Sequence, residues 1–128
     1  MSEYSTTIAL RFGDFDLYGH VNSVTYFSYL ETARVKIFYR LFEELTRKGI
    51  LLLVRKAECD YLLPILPVLE EIIVTMEIAR IGTTSFTLAY RLHDQEGTTY
   101  ATGQTLMVAF DSRSGQTMAV PDEIRAMA

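Results

Sequence analysis

The stretch Gly13-Asp14-Phe15-Asp16-Leu17-Tyr18-Gly19-His20-Val21-Asn22-Ser23-Val24 decides the fold, because inside it the residue pattern passes from no period to a helical one. Between Gly13 and Asn22 neither helical nor strand spacing is present, and the run reads as an ordered loop. From Ser23 onward Val24, Phe27, Leu30, Ile37, Leu41 and Leu45 recur at intervals of three, four or seven until Gly49 supplies a stop. That spacing predicts one long helix over 23–47. Asn22 stands at its N-cap position, where a side-chain oxygen can accept from a backbone N–H two or three residues on.

Upstream, residues 5–12 alternate, with Ile8, Leu10 and Phe12 on one face and Thr7, Ala9 and Arg11 on the other, as in a half-buried strand. Downstream come four stretches rich in β-formers, 50–62, 70–80, 84–94 and 98–110, divided by Pro64 and Pro67, by Gly82, and by Asp94-Gln95-Glu96-Gly97. The last three read as an antiparallel meander. Phe86, Leu88, Tyr90 and Leu92 share one face of the third stretch, and the small Ala101, Gly103, Thr105 and Ala109 share a face of the fourth that permits close packing against a helix. Pro121 followed by Asp122 and Glu123 starts a short terminal helix. Strand, long helix, four strands gives an α+β architecture in which one helix covers a five-stranded antiparallel sheet.

At 128 residues the chain is expected to form one domain, 1–128, since two cores would leave each half near the lower limit for folding. A hydrophobic fraction of 49% is high for so short a chain and predicts that apolar surface faces another subunit. Twelve Lys and Arg against 16 Asp and Glu leave a net charge of -4, which offers no positive field for nucleic acid. Cys59 stands alone and is expected to be a buried, inert thiol. The N-terminal residues lack the basic start and apolar run of a secretory signal, so a cytoplasmic protein is expected. The apolar runs 50–54 and 61–69 fall short of the roughly 20 residues that span a bilayer. Two histidines and one cysteine give no metal-ligand spacing, and no Gly-rich nucleotide loop is present, so neither metal nor cofactor is expected.

The residues Arg11-Phe12-Gly13-Asp14-Phe15-Asp16-Leu17-Tyr18-Gly19-His20-Val21-Asn22, with Tyr26, Tyr29-Leu30-Glu31 and Arg34, resemble the 4-hydroxybenzoyl-CoA thioesterase-like group of hotdog acyl-CoA thioesterases. The resemblance continues through Asp60-Tyr61, Pro64, Gly82 to Ser85-Phe86, and Asp111 to Pro121. It implies a hotdog fold, with the five-stranded sheet wrapped around the long central helix, in a homodimer or homotetramer whose sites lie between subunits. It also implies hydrolysis of an acyl thioester carried by CoA or by an acyl carrier protein. The position matching the family's catalytic Asp is Asp16, as nucleophile or general base, and the one matching its oxyanion donor is the backbone amide of Ser23. Gly19, Asn22, Tyr26 and Ser85 are candidates for binding the substrate, Tyr26 because it begins the helix near that donor, although an aromatic residue at helical spacing is usually core. His20 either shuttles protons or shapes the loop. Residues of a partner's strands, near Cys59 to Leu62, would complete each pocket.

Elementary chemistry supports the same pairing, because acyl transfer needs a carboxylate near a preorganised donor, and a helix start provides donor and dipole together. Plainer roles stand beside these. Asp16 suits a turn closed by Gly19, Asp14 reads as a solvated or Arg11-paired loop acid, and Asn22 as a cap. His93 reads as a solvated turn residue, and Glu31 with Arg34 as an i,i+3 ion pair. Two departures from the family stand out: Gly82-Thr83-Thr84-Ser85 lacks the basic residue often found there, and Pro64-Ile65-Leu66-Pro67-Val68-Leu69-Glu70-Glu71 replaces a Gly-Asp turn. The missing charge keeps open a module that binds an acyl thioester without cleaving it. A hydratase or dehydratase of the same fold would instead need a His and a carboxylate converging on the acyl chain.

Overall fold

Alternation at the chain start produces β1 (Glu3–Ala9), and the helical period produces α1 (Ser23–Arg47) in the computed structural model, which describes residues 2–128. β2 (Ile50–Tyr61), β3 (Glu71–Ile81), β4 (Ser85–His93) and β5 (Thr99–Asp111) follow, then a two-residue β6 (Gln116–Thr117) and a short α2 (Asp122–Arg125). The five long strands pair antiparallel in the order β1-β3-β4-β5-β2, and β6 adds to β5 through Phe110 and Asp111. The predicted five strands are thus present, with β6 as an addition too short to leave a period in the sequence.

β1 ends sooner than its alternation predicts. Asp14 accepts the Arg11 backbone N–H with its carboxylate (2.9 Å) and donates its own N–H to the Arg11 carbonyl (2.9 Å), which turns the chain into a 3-10 turn at Phe12–Asp14. Phe12 consequently points to solvent, 98% exposed, instead of joining the core.

Asn22 caps α1 as predicted, with its side-chain oxygen accepting from the Val24 N–H at 2.9 Å. The buried stripe of α1 lies beside the predicted one. Tyr26, Tyr29, Leu30, Ala33, Arg34, Phe38 and Leu45 face the sheet, whereas Val24 is 71% exposed. Tyrosine and arginine carry long apolar bodies, so they can take interior positions once their polar ends are bonded. Arg34 accordingly does not pair with exposed Glu31; it reaches into the core and donates to the Tyr90 hydroxyl at 3.2 Å, which shares a 2.6 Å bond with Thr105.

The helix sits close to β5. A Cβ built on Gly103 would lie 3.0 Å from the Glu58 carbonyl and 3.1 Å from a Leu30 methyl, so the small face of β5 permits the contact as predicted. Phe86, Leu88, Tyr90 and Leu92 of β4 are all buried against the same core. His93 is not a solvated turn residue. It ends β4 in register with Ile73, and its ring Nε2 lies 2.8 Å from Thr75 Oγ1, itself 2.8 Å from Ser5 Oγ. Among the described residues no helix is long and apolar enough to cross a membrane.

Candidate active site

Residues 10–22 leave the sheet edge and return to the helix start, and main-chain bonds close this loop on itself. Leu10 donates to the Glu70 carbonyl (2.9 Å), Phe15 bridges Val21, and the Asn22 N–H donates to the Asp14 carbonyl (2.8 Å). At the tip the Asp16 N–H donates to the His20 carbonyl (2.8 Å) and the Gly19 N–H to the Asp16 carbonyl (3.1 Å). Gly19 has φ +74°, the left-handed region in which a side chain is strained, which is why a glycine closes this turn.

The Asp16 carboxylate uses one oxygen to hold that turn. Its Oδ1 accepts the Tyr18 N–H at 2.9 Å and, more weakly, the His20 N–H at 3.4 Å. The turn-capping role foreseen for Asp16 is therefore real, but a carboxylate has two oxygens, and Oδ2 remains for chemistry. Asp16, His20 and Ser23 line one part of a pocket of about 310 Å³. Beside them the helix start offers a donor. The Val24 N–H is taken by the Asn22 side chain and the Thr25 N–H by the Asn22 carbonyl (2.9 Å), while the Ser23 N–H, at the first helical position, has no intrahelical acceptor.

The remainder of the pocket is apolar, lined by Val21, Tyr26, Tyr61, Leu62, Leu63 and Pro64. Tyr61 donates its hydroxyl to the Ser23 carbonyl at 3.0 Å and meets Tyr26 edge to face, ring centroids 4.8 Å apart. Behind them Ile65, fully buried, accepts the Val21 N–H at 3.0 Å and pins the 62–66 segment to the helix start. Burial pushes the Tyr26 phenol above its ordinary range, with the Ile65 backbone N–H acting in the other direction. Burial likewise pushes the adjacent Cys59 thiol up to about 11, which leaves it protonated and weakly nucleophilic at neutral pH.

The structure thus brings together Asp16, His20, Ser23 and Tyr26 from the sequence-predicted set. Gly19 and Asn22 act one step back, shaping the turn and capping the helix. Ser85 is elsewhere. It pairs with Val108, which in turn pairs with Leu53, at the end of the sheet opposite Tyr61. Tyr61 and Leu62, expected from a partner's strand, line the pocket from the same chain.

Sequence reasoning missed Asp14 and Tyr29. Asp14 is not solvated: it is 3% exposed, and its Oδ2 accepts both the Arg11 N–H (2.9 Å) and the Tyr29 hydroxyl (2.8 Å). The pairing with Arg11 is present, with Nη2 3.3 Å from Oδ1. Burial, and then the bond to Asp14, push the Tyr29 phenol far above its usual range, so it stays a donor. The available signal was Tyr29 falling on the stripe shared by Tyr26 and Ala33. Among the described residues no three His, Cys, Asp or Glu side chains gather in a way that could hold a metal ion.

A sheet in this strand order around one long helix, with a carboxylate loop at the helix start, is the hotdog fold. The chain belongs to the thioesterase-like superfamily, whose family model matches residues 10–127. It is 33% identical over 116 residues to the uncharacterized protein YsmA of Bacillus subtilis, covering 91% of this chain and 78% of that one. Among solved structures it is similar to the PA2801 protein of Pseudomonas aeruginosa, described as a candidate thioesterase, at 36% identity and TM-score 0.86 over 95% of each chain. It is also similar to a predicted thioesterase from Bacillus stearothermophilus, at 29% identity and TM-score 0.85 over 98% of this chain and 92% of that one.

Proposed function

We infer that the protein hydrolyses an acyl thioester of CoA or of an acyl carrier protein to the free acid and thiol. The observation that carries this reading is the meeting, in one pocket, of Asp16 with the helix-start residue Ser23. The Ser23 N–H and the positive end of α1 would stabilise the oxyanion that forms when the thioester carbonyl is attacked. Asp16 Oδ2 would either attack that carbonyl, giving an anhydride that water then opens, or take a proton from an attacking water. Both routes expel the thiolate and use the same donor. The apolar part of the pocket, with Tyr26, Tyr61 and Leu63, would take the acyl group. His20 faces the same pocket, but its bonds to Asp16 run through its main chain.

The lining residues include no Lys or Arg, so cations for the CoA phosphates would come from outside the pocket. A homodimer would change what adjoins the pocket. β2 is an edge strand, and Leu53 and Val54 on it are 45% and 44% exposed. Two such edges paired antiparallel would put the Leu53 end of one chain opposite the Tyr61 end of the other, and with it the partner's Ser85, on the pocket's side of the joined sheets.

Asp16→Asn tests the reading. Asparagine keeps an Oδ1 acceptor for the turn but replaces Oδ2 with an amide NH2 that can neither attack nor accept a proton, so the variant should fold normally while kcat for thiol release from acyl-CoAs falls by about 10²–10⁴-fold. Unchanged turnover would refute the role of Asp16. Tight binding of acyl-CoA by the unmodified protein without any thiol release would instead favour a binding module.

A further inference from the structure

The buried carboxylate of Asp14 takes no direct part in the chemistry above, yet it lies two residues from Asp16 and bonds to three separate groups. A buried charge is tolerated only when it is thoroughly bonded, and each bond here ends on a piece of the loop or on the helix that bears Ser23. Oδ2 accepts the Arg11 N–H (2.9 Å), which fixes where the loop leaves the sheet edge. The same oxygen accepts the Tyr29 hydroxyl (2.8 Å), which ties the loop to the buried face of α1. Oδ1 lies 3.3 Å from the Arg11 guanidinium. The Asp14 carbonyl accepts the Asn22 N–H at 2.8 Å, so the residue is bonded on one side to the N-cap and on the other to the second turn of the helix. Asp16 and Ser23 belong to different elements, and these bonds join the elements directly.

We propose that Asp14 and Tyr29 form a positioning pair that holds the 11–22 loop against α1, so that Asp16 sits at a fixed place relative to the Ser23 N–H. The proposal rests on the thioesterase reading for its catalytic consequence, but not for its structural one. Neither residue lines the pocket. Catalytic geometry is sensitive to small displacements, and a shift of about 1 Å can lower turnover about 100-fold.

Tyr29→Phe removes one hydroxyl and leaves the ring in place. Tyr90→Phe is the control, because it also deletes a buried, hydrogen-bonded phenol hydroxyl, but one that bonds Arg34 and Thr105 away from the loop. Two measurements are made on the full chain: native-state amide exchange of Asp16, Gly19 and Asn22, and kcat and KM for acyl-CoA thiol release. Tyr29→Phe is expected to speed exchange at those three amides and to lower kcat about 10- to 100-fold with KM little changed, whereas Tyr90→Phe alters neither. Asp14→Ala removes the oxygen that accepts from both Tyr29 and the Arg11 N–H, so it should lower kcat at least as far as Tyr29→Phe, and the double variant should be no worse than Asp14→Ala alone, as for two residues acting through one contact.

Loop exchange in Tyr29→Phe matching that in Tyr90→Phe would overturn the positioning pair, whatever the activity. So would a kcat loss shared equally by Tyr90→Phe, which would reduce the effect to general destabilisation. Absence of thiol release by the unmodified protein would instead remove the thioesterase reading, and the exchange data would still decide whether the pair holds the loop.

Discussion

At Asp16 the turn is capped by Oδ1 alone, bonded to the Tyr18 and His20 N–H groups, which leaves Oδ2 for the catalytic role proposed above. Sequence spacing set these roles against each other; atomic detail makes them compatible. At Asp14 the sequence misled for a different reason. Arg11 lies three residues before Asp14 and suggested a surface pair, while the partner that draws the side chain inward, Tyr29, lies 15 residues away. Cys59, expected to be a buried, inert thiol, is only half-buried, and that partial burial still raises its thiol to about 11. Less thiolate is then present at pH 8, partly offset by the greater nucleophilicity of a more basic thiolate, so alkylation of the folded protein should be about 10-fold slower than that of a urea-unfolded sample. Equal rates would refute the shift. The sign for stability follows: the neutral thiol's contribution is complete below pH 9 and is lost as pH rises through about 11.

Among the elements, α1 was the most legible. Its limits, 23–47, and its cap at Asn22 were readable because period and cap are local properties. Its buried stripe was read slightly out of place, because Val24 and Phe27 outweighed tyrosines whose hydroxyls find partners only after folding. β1 was read through Phe12, and it stops at Ala9 because a side-chain acceptor on Asp14 competes with strand continuation. Because the Asn22 side chain satisfies the Val24 N–H, Asn22→Ala should lower stability by about 1 kcal/mol, whereas Asn22→Asp should leave it nearly unchanged. Urea denaturation of the two variants makes the comparison, and an alanine variant as stable as the original would show that the cap contributes nothing.

For the whole molecule, the sheet leaves β2 at an edge with Leu53 and Val54 partly exposed, and natural proteins rarely leave such an edge uncovered. The high apolar fraction of the chain points the same way. If β2 pairs with its copy, Leu53→Glu should shift the mass measured by light scattering from dimer toward monomer. It should also lower thioesterase activity, because the partner's end of the sheet would no longer adjoin the pocket. A monomeric original chain, or a charged variant that stays fully dimeric, would count against that edge as the interface.

The sequence by itself determined the element order, the helix with its cap, the meander and the residues of the Asp16 loop, because period, capping and turn chemistry act over a few neighbouring residues. Tertiary structure alone decided that Tyr61, Leu62 and Leu63 face Asp16, that Asp14 is buried on Tyr29, and that Arg34 bonds Tyr90 rather than Glu31. Those contacts join residues far apart in the chain. A side chain's final partner depends on which distant surface folding brings to it, and burial then obliges each polar group to find one.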